Sequence, residues 1–191
     1  MSDMQANTAL LVMDMQAGIV NRYAQSSDIL ERTNTAIAAA RAASIPVIYV
    51  VVGFRPGYPE VSPRNKMFSG RSQASSSTAA FSIELPQAIA PQPMDVVITK
   101  RRVSAFSGSD LEMVLRAQNI SHLVLCGIAT SGVVLSTLRE AADKDYQLTV
   151  LADCCLDNDE EVHRVLLSKV FPRQAEVIQS EDWVATLAVE K

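Results

Sequence analysis

Histidine is scarce in this sequence: His122 and His163 are the only two in 191 residues. A zinc site needs several close ligands, and neither histidine has a second one at ligand spacing. No metal and no cofactor is therefore expected. Cysteine is scarce as well. Three residues, an odd number with no CxxC pair, argue against a disulfide framework. Cys154 and Cys155 are adjacent, where a disulfide is strained, and both read as small buried hydrophobes. The basic residues form one short knot, Lys100, Arg101 and Arg102, and the net charge is −4, so no nucleic-acid partner is expected. No apolar run approaches the roughly 20 residues of a membrane span. The stretch MSDMQANTALLVMDMQ lacks the basic flank and small-residue cleavage site of a signal peptide. These absences lead to an expectation of no membrane association and of cytoplasmic residence. No internal repeat or second domain is visible, and 1–191 reads as one domain with a full core.

What is present is alternation. Short apolar runs at 8–13, 47–52, 95–99, 122–126, 147–151 and 176–178 read as strands buried on both faces. Helical patterns lie between most of them, at 28–43, 110–118, 131–144, 159–170 and 181–189. Asp28, with Glu31 three residues on, forms an approximate capping box. Ser109 or Asp110 caps the second helix. In the fourth, Val162, Val165, Leu166 and Val170 share a face. Six such strands separated mostly by helices mean a parallel sheet covered on both sides, a three-layer, Rossmann-like α/β fold. The exception is 53–94, which holds six of the eight prolines and the serine-rich QASSSTAAFS. A long connection of this kind is more often functional than idle. It reads as a cap over a site, an arm reaching a partner subunit, or a surface loop.

Ligands of open parallel sheets bind beyond the carboxyl ends of the strands. Strand one ends at Asp14 in LLVMDMQ, strand three at Lys100 in VVITKRR, and strand four at GIAT, 127–130. If these strands are central neighbours, Asp14 and Lys100 meet the head of the helix that opens at Ser131. A carboxylate beside an ammonium can manage a proton, as base or, once recharged, as acid. A helix N-terminus offers N–H groups to a developing anion. An ordinary strand-end salt bridge is the alternative reading. In 53–94, Arg55, Tyr58, Arg64 and Lys66 are candidates for the substrate side, because arginine clamps carboxylates; they also fit a solvated loop. Phe106 either walls the pocket or belongs to the core. Gln16 either orients a substrate or caps the turn.

The ordered set LLVMDMQ, VVITKRRVSAFSGSDLE and LVLCGIATSGVVLSTLREAADKDYQLTVLADCCLD closely resembles the isochorismatase-like hydrolase superfamily. The likeness runs from about residue 9 to 183 and is weakest across 53–94. It implies a six-stranded parallel sheet of order 3-2-1-4-5-6 and a small-molecule substrate, and oligomers are common among such proteins, so a homo-oligomer is expected. Many members hydrolyse amides with an Asp, Lys and Cys triad. Asp14 matches the aspartate and Lys100 the lysine. In those members GIAT and two further residues precede the nucleophilic cysteine. Here the two residues are Ser131 and Gly132, and the cysteine position holds Val133. Cys126 lies earlier, inside a strand. Cys155 follows the fifth strand, where many members carry a cysteine that is not the nucleophile.

One branch of the superfamily, the true isochorismatases, hydrolyses a vinyl ether and releases pyruvate without the cysteine. There the aspartate is thought to protonate the vinyl group before water attacks. Cysteine-free members commonly carry glycine at the position of Val133, and valine narrows the pocket. The resemblance also implies a cis peptide between Ile128 and Ala129, with the N–H groups of Ala129 and Val133 forming an oxyanion hole beside Thr130. Nicotinamidases carry Asp-x-His and a second histidine after strand two, whereas VGFRPGY at 52–58 has none. The expected function is a small-molecule hydrolase that moves protons through Asp14 and Lys100. Two other readings stay open. One is a silent member that binds a small acid or a protein partner. The other is a cysteine hydrolase with a relocated nucleophile.

Overall fold

Side chains alternate across the first strand, β1 (Thr8–Met13), and so seed two separate cores. Ala9, Leu11 and Met13 belong to one apolar cluster, Leu10 and Val12 to the other. All six residues of β1 are buried. That pattern requires cover on both faces of the sheet, and the computed structural model, which describes residues 7–23, 28–70 and 82–188, provides it. The other strands are β2 (Val47–Val52), β3 (Val96–Lys100), β4 (His122–Ile128), β5 (Gln147–Leu156) and β6 (Glu176–Ile178). They form one sheet of order β3-β2-β1-β4-β5-β6, and every pairing is parallel. The fold class and strand order are those expected.

One face is covered by α3 (Leu111–Ala117) and α4 (Leu135–Ala142), through Leu111, Leu115, Leu138 and Ala141. The other is covered by α2 (Ile29–Ala42) and α6 (Ser180–Ala188), through Ile29, Ala36, Ile37, Ala40 and Trp183. In α2 the buried positions 29, 33, 36, 37 and 40 trace one helical stripe. Among the described residues no helix is long and apolar enough to cross a membrane.

The structure corrects several local expectations. A helix that the sequence pattern did not reveal, α1 (Ala17–Tyr23), follows β1 at once. Asp28 stands at the start of α2, but its side chain makes no capping bond and pairs with Arg32 instead. Ser109, not Asp110, serves α3: its Oγ accepts from the Leu111 N–H and donates to the Ala105 carbonyl. β5 continues five residues past the apolar run. Its Asp153 carboxylate accepts from both the backbone N–H and the hydroxyl of Ser180, which opens α6. The helix expected over 159–170 is α5 (Glu160–Val165) followed by a wider turn, Leu166–Val170, and Val162 on it is exposed. In the 53–94 connection, Phe54 stacks with Tyr58 and Phe68 at ring separations of 5.6 and 5.3 Å. The stretch QASSSTAAFS lies, apart from Ser82, outside the described residues.

Candidate active site

The carboxyl ends of β1 and β4 lie side by side, with Met13 opposite Gly127. Gly127 has φ +154°, and a Cβ there would stand 2.3 Å from the Met13 carbonyl oxygen. Only glycine permits that approach. One residue further, Asp14 adopts φ +53° and donates its N–H to the Val50 carbonyl. Aspartate tolerates this left-handed backbone better than most side chains, and the turn sets its carboxyl group at the head of the sheet.

Lys100 reaches Asp14 from two strands away. β3 is the edge strand, and β2 lies between it and β1. Two strand spacings amount to about 10 Å, a gap that a lysine's long stem can help to close. Lys100 Nζ lies 2.9 Å from Asp14 Oδ2, with both side chains nine-tenths buried or nearly so. Nζ also donates to the carbonyls of Arg102 and Val103, at 2.9 and 3.0 Å. The loop after β3 therefore curls back around its own lysine. Arg101 and Arg102 hold that loop from outside. Arg101 donates to the Gly53 carbonyl, and Arg102 donates to the Glu60 carbonyl. The basic knot thus divides its labour, one cation inside and two pinning the 53–60 segment.

The turn after β4 begins with a cis peptide between Ile128 and Ala129. The chain then enters a widened helical turn, Thr130–Val134, before α4. The Thr130 hydroxyl is buried and meets His163 Nδ1 at 2.8 Å, and the Ser131 N–H donates to Asp157 at 2.7 Å. The turn is thereby tied to α5 and the segment before it.

A cavity of about 120 Å³ opens among these elements. Asp14 and Lys100 line it, together with Ala129, Gly132 and Val133 from the β4 turn. Val52 and Val103 add apolar wall, and Met67 and Phe68 close it from the long connection. The described part of that connection thus supplies part of the cavity's cover. Ile128 at the end of β4 adds to the lining, and Ile19, Arg22 and Tyr23 of α1 complete it. These three were missed, because seven residues straight after a strand leave too short a pattern to register as a helix. Their i, i+3, i+4 spacing was the available signal.

Other candidates lie elsewhere. Gln16 is 1% exposed and binds both backbone polar groups of Val52, accepting from its N–H and donating to its carbonyl; it also donates to Ser82. Its side chain is a strap between the ends of β1 and β2, and its carbonyl caps the turn into α1 by accepting from the Ile19 and Val20 N–H groups. Phe106 is in the core, facing Tyr146 at 6.0 Å, with Lys144 Nζ 5.5 Å from its ring. The Arg55 guanidinium lies against Glu60, outside the cavity lining. Tyr58 packs on Phe54, and Arg64 and Lys66 are exposed.

None of the three cysteines lines the cavity. Cys126 donates its thiol to the Leu11 carbonyl, and burial pushes its proton affinity well above the ordinary thiol value. Burial pushes Cys154 up to about 11 and raises Cys155 as well. Reactive cysteines show the opposite shift. Among the described residues no three His, Cys, Asp or Glu side chains gather into a metal-holding group.

Comparison with known proteins agrees with this geometry at the level of family and fold. The Isochorismatase domain family matches residues 8–182. A ureidoacrylate amidohydrolase, RutB, of Methylobacterium radiotolerans is 33% identical over 193 residues, covering 86% of this chain and 73% of the relative. The isochorismatase family protein YecD of Escherichia coli O157:H7 is 32% identical, with 92% and 93% of the two chains covered. A solved isochorismatase family protein from Burkholderia thailandensis superposes with a TM-score of 0.80 at 29% identity, over 96% of both chains.

Proposed function

The chain belongs to the isochorismatase family of hydrolases, and from that premise we propose that it hydrolyses a small molecule by proton transfer through Asp14 and Lys100, without a thiol nucleophile. The observation that carries this reading is the make-up of the cavity. A buried carboxylate and ammonium touch at 2.9 Å, the aliphatic Val133 lines the same cavity, and none of the three cysteines does.

The geometry around Nζ suits a pair that exchanges its proton. As an ammonium, Lys100 donates to Asp14 and to the two carbonyls. As a neutral amine it keeps two N–H bonds, enough for the carbonyls, and turns its lone pair toward Asp14. The proton then sits on Asp14 as a carboxylic acid. Burial narrows the gap between the two states, because desolvation penalises the charged pair. Asp14 can thus act as a general acid although its resting partner is a cation.

Covalent amide hydrolysis needs a nucleophile, and valine offers none. Vinyl-ether hydrolysis does not need one. Asp14 would protonate the terminal vinyl carbon, giving an oxocarbenium ion. Water adds at the cationic carbon, losing a proton to the Asp14 carboxylate. The hemiketal then breaks to a ketone and an alcohol. Backbone N–H groups of Ala129 and Val133 would face the oxygen that carries developing negative charge in that collapse. Thr130 and Gln16 would act as positioning residues, one holding the turn through His163 and the other joining the strand ends.

The test is pyruvate release from isochorismate by the purified protein, with Asp14→Asn in parallel. Release should occur and fall by about 10²- to 10⁴-fold in the variant, the usual worth of a general acid. Turnover unchanged in Asp14→Asn removes the proton-transfer role. A folded wild-type protein that releases no pyruvate from isochorismate removes the vinyl-ether step for that substrate.

A further inference from the structure

Three charged side chains line the cavity: Asp14, Arg22 and Lys100. Asp14 and Lys100 neutralise each other across 2.9 Å. Arg22 leaves the cavity with one net positive charge, and among the described residues it forms no ion pair. Its position follows from the helix. Residues 19, 22 and 23 share one face of α1, which is turned to the cavity, while Val20 is buried in the core. Much of the remaining lining is apolar, including Ile19, Val52, Phe68, Val103 and Val133. The cavity therefore combines a cationic fork from α1, apolar walls and the buried Asp14–Lys100 pair.

We propose that Arg22 is the carboxylate anchor of this cavity, so that its occupant is a small organic acid with an apolar body. The inference rests on reading the cavity as the substrate site, and it adds the chemical class of the substrate and the residue that selects it. Guanidinium presents parallel N–H donors that match a carboxylate in a bidentate fashion. Arg55, the arginine that its loop position made a candidate for this task, is turned to Glu60 instead. The anchor comes from α1, which places it on an element fixed to the end of β1 through the Gln16 carbonyl, the acceptor for the N–H groups of Ile19 and Val20.

The experiment is calorimetric titration of the intact protein with benzoate and with benzamide, which match in size and differ in charge. Wild type should bind benzoate about tenfold tighter or more, a screened charge-assisted contact. The preference should shrink as salt is added. Arg22→Gln should erase it, and Arg22→Lys, which keeps the charge and loses the fork, should keep a part. The proposal is overturned if wild type binds the two probes equally, binds neither, or if Arg22→Gln keeps the preference. A protein that shows the Arg22-dependent preference yet releases no pyruvate would sink the vinyl-ether reading alone. One that releases pyruvate and shows no such preference would sink the anchor alone.

Discussion

Val133 is 1% exposed and lines the cavity that holds Asp14 and Lys100. A sulfur placed there would sit among the groups that activate thiols: an ammonium, and the N–H groups of a helix start. The native cysteines have none of this. All three are buried, and burial raises the proton affinity of each. Two results should follow. Iodoacetamide should leave the folded wild-type protein unlabelled at pH 8. Val133→Cys should take one carboxyamidomethyl group, located by peptide mass spectrometry at residue 133. Removing part of a buried aliphatic side chain should cost about 1 kcal/mol of stability. A folded variant with no label at 133 would mean that this side chain does not face the cavity.

At the scale of elements, the site depends on how closely β1 and β4 approach. Gly127 sits where any Cβ would press into the Met13 carbonyl, the group directly before Asp14. Gly127→Ala should therefore destabilise the fold by at least about 1–3 kcal/mol, the usual cost of overpacking. It should also displace Asp14 from Lys100. Urea unfolding midpoints and turnover, measured on the same preparation, check this. A variant as stable and active as wild type would show that the strands can separate without harm. The strands themselves were legible, because a sheet buried on both faces writes each strand as a continuous apolar run. Asp14 and Lys100 were legible as polar residues closing such runs. The elements that break the rule were not. β5 runs on through Asp153, a carboxylate inside a strand whose reason is Ser180, twenty-seven residues away. α1 is seven residues long and carries only Val20 to the core. Asp14 and Lys100 meet although β2 lies between their strands, as in the expected order, because lysine length substitutes for strand adjacency. The roles of Gln16, Phe106 and Arg55 depended on contacts 36, 40 and five residues away, which no local pattern records.

For the molecule as a whole, the two histidines make stability sensitive to mild acid. His122 bridges three strands, with Nδ1 3.1 Å from the Thr8 hydroxyl on β1 and Nε2 2.9 Å from the Thr149 hydroxyl on β5. Burial lowers its proton affinity below the ordinary value of 6.5. Burial lowers that of His163 too, against the opposing pull of Asp157 and Glu160. In the unfolded chain both rings take up protons as pH falls through about 6.5. In the folded protein they resist until lower pH. Across that interval the unfolded chain binds more protons, so stability rises with pH. The histidine contribution is complete above about 6.5 and is lost as pH falls toward the folded-state values. Ordinary carboxylates titrate near 4, about two units lower, so a window from pH 7.5 to 5.5 reports mainly on histidine. The urea midpoint should fall across this window. His122→Gln keeps a donor and an acceptor between the two threonines but cannot take a proton, and it should flatten the fall. An equal slope in wild type and variant would place the acid sensitivity elsewhere and leave His122 as a neutral strand tie alone.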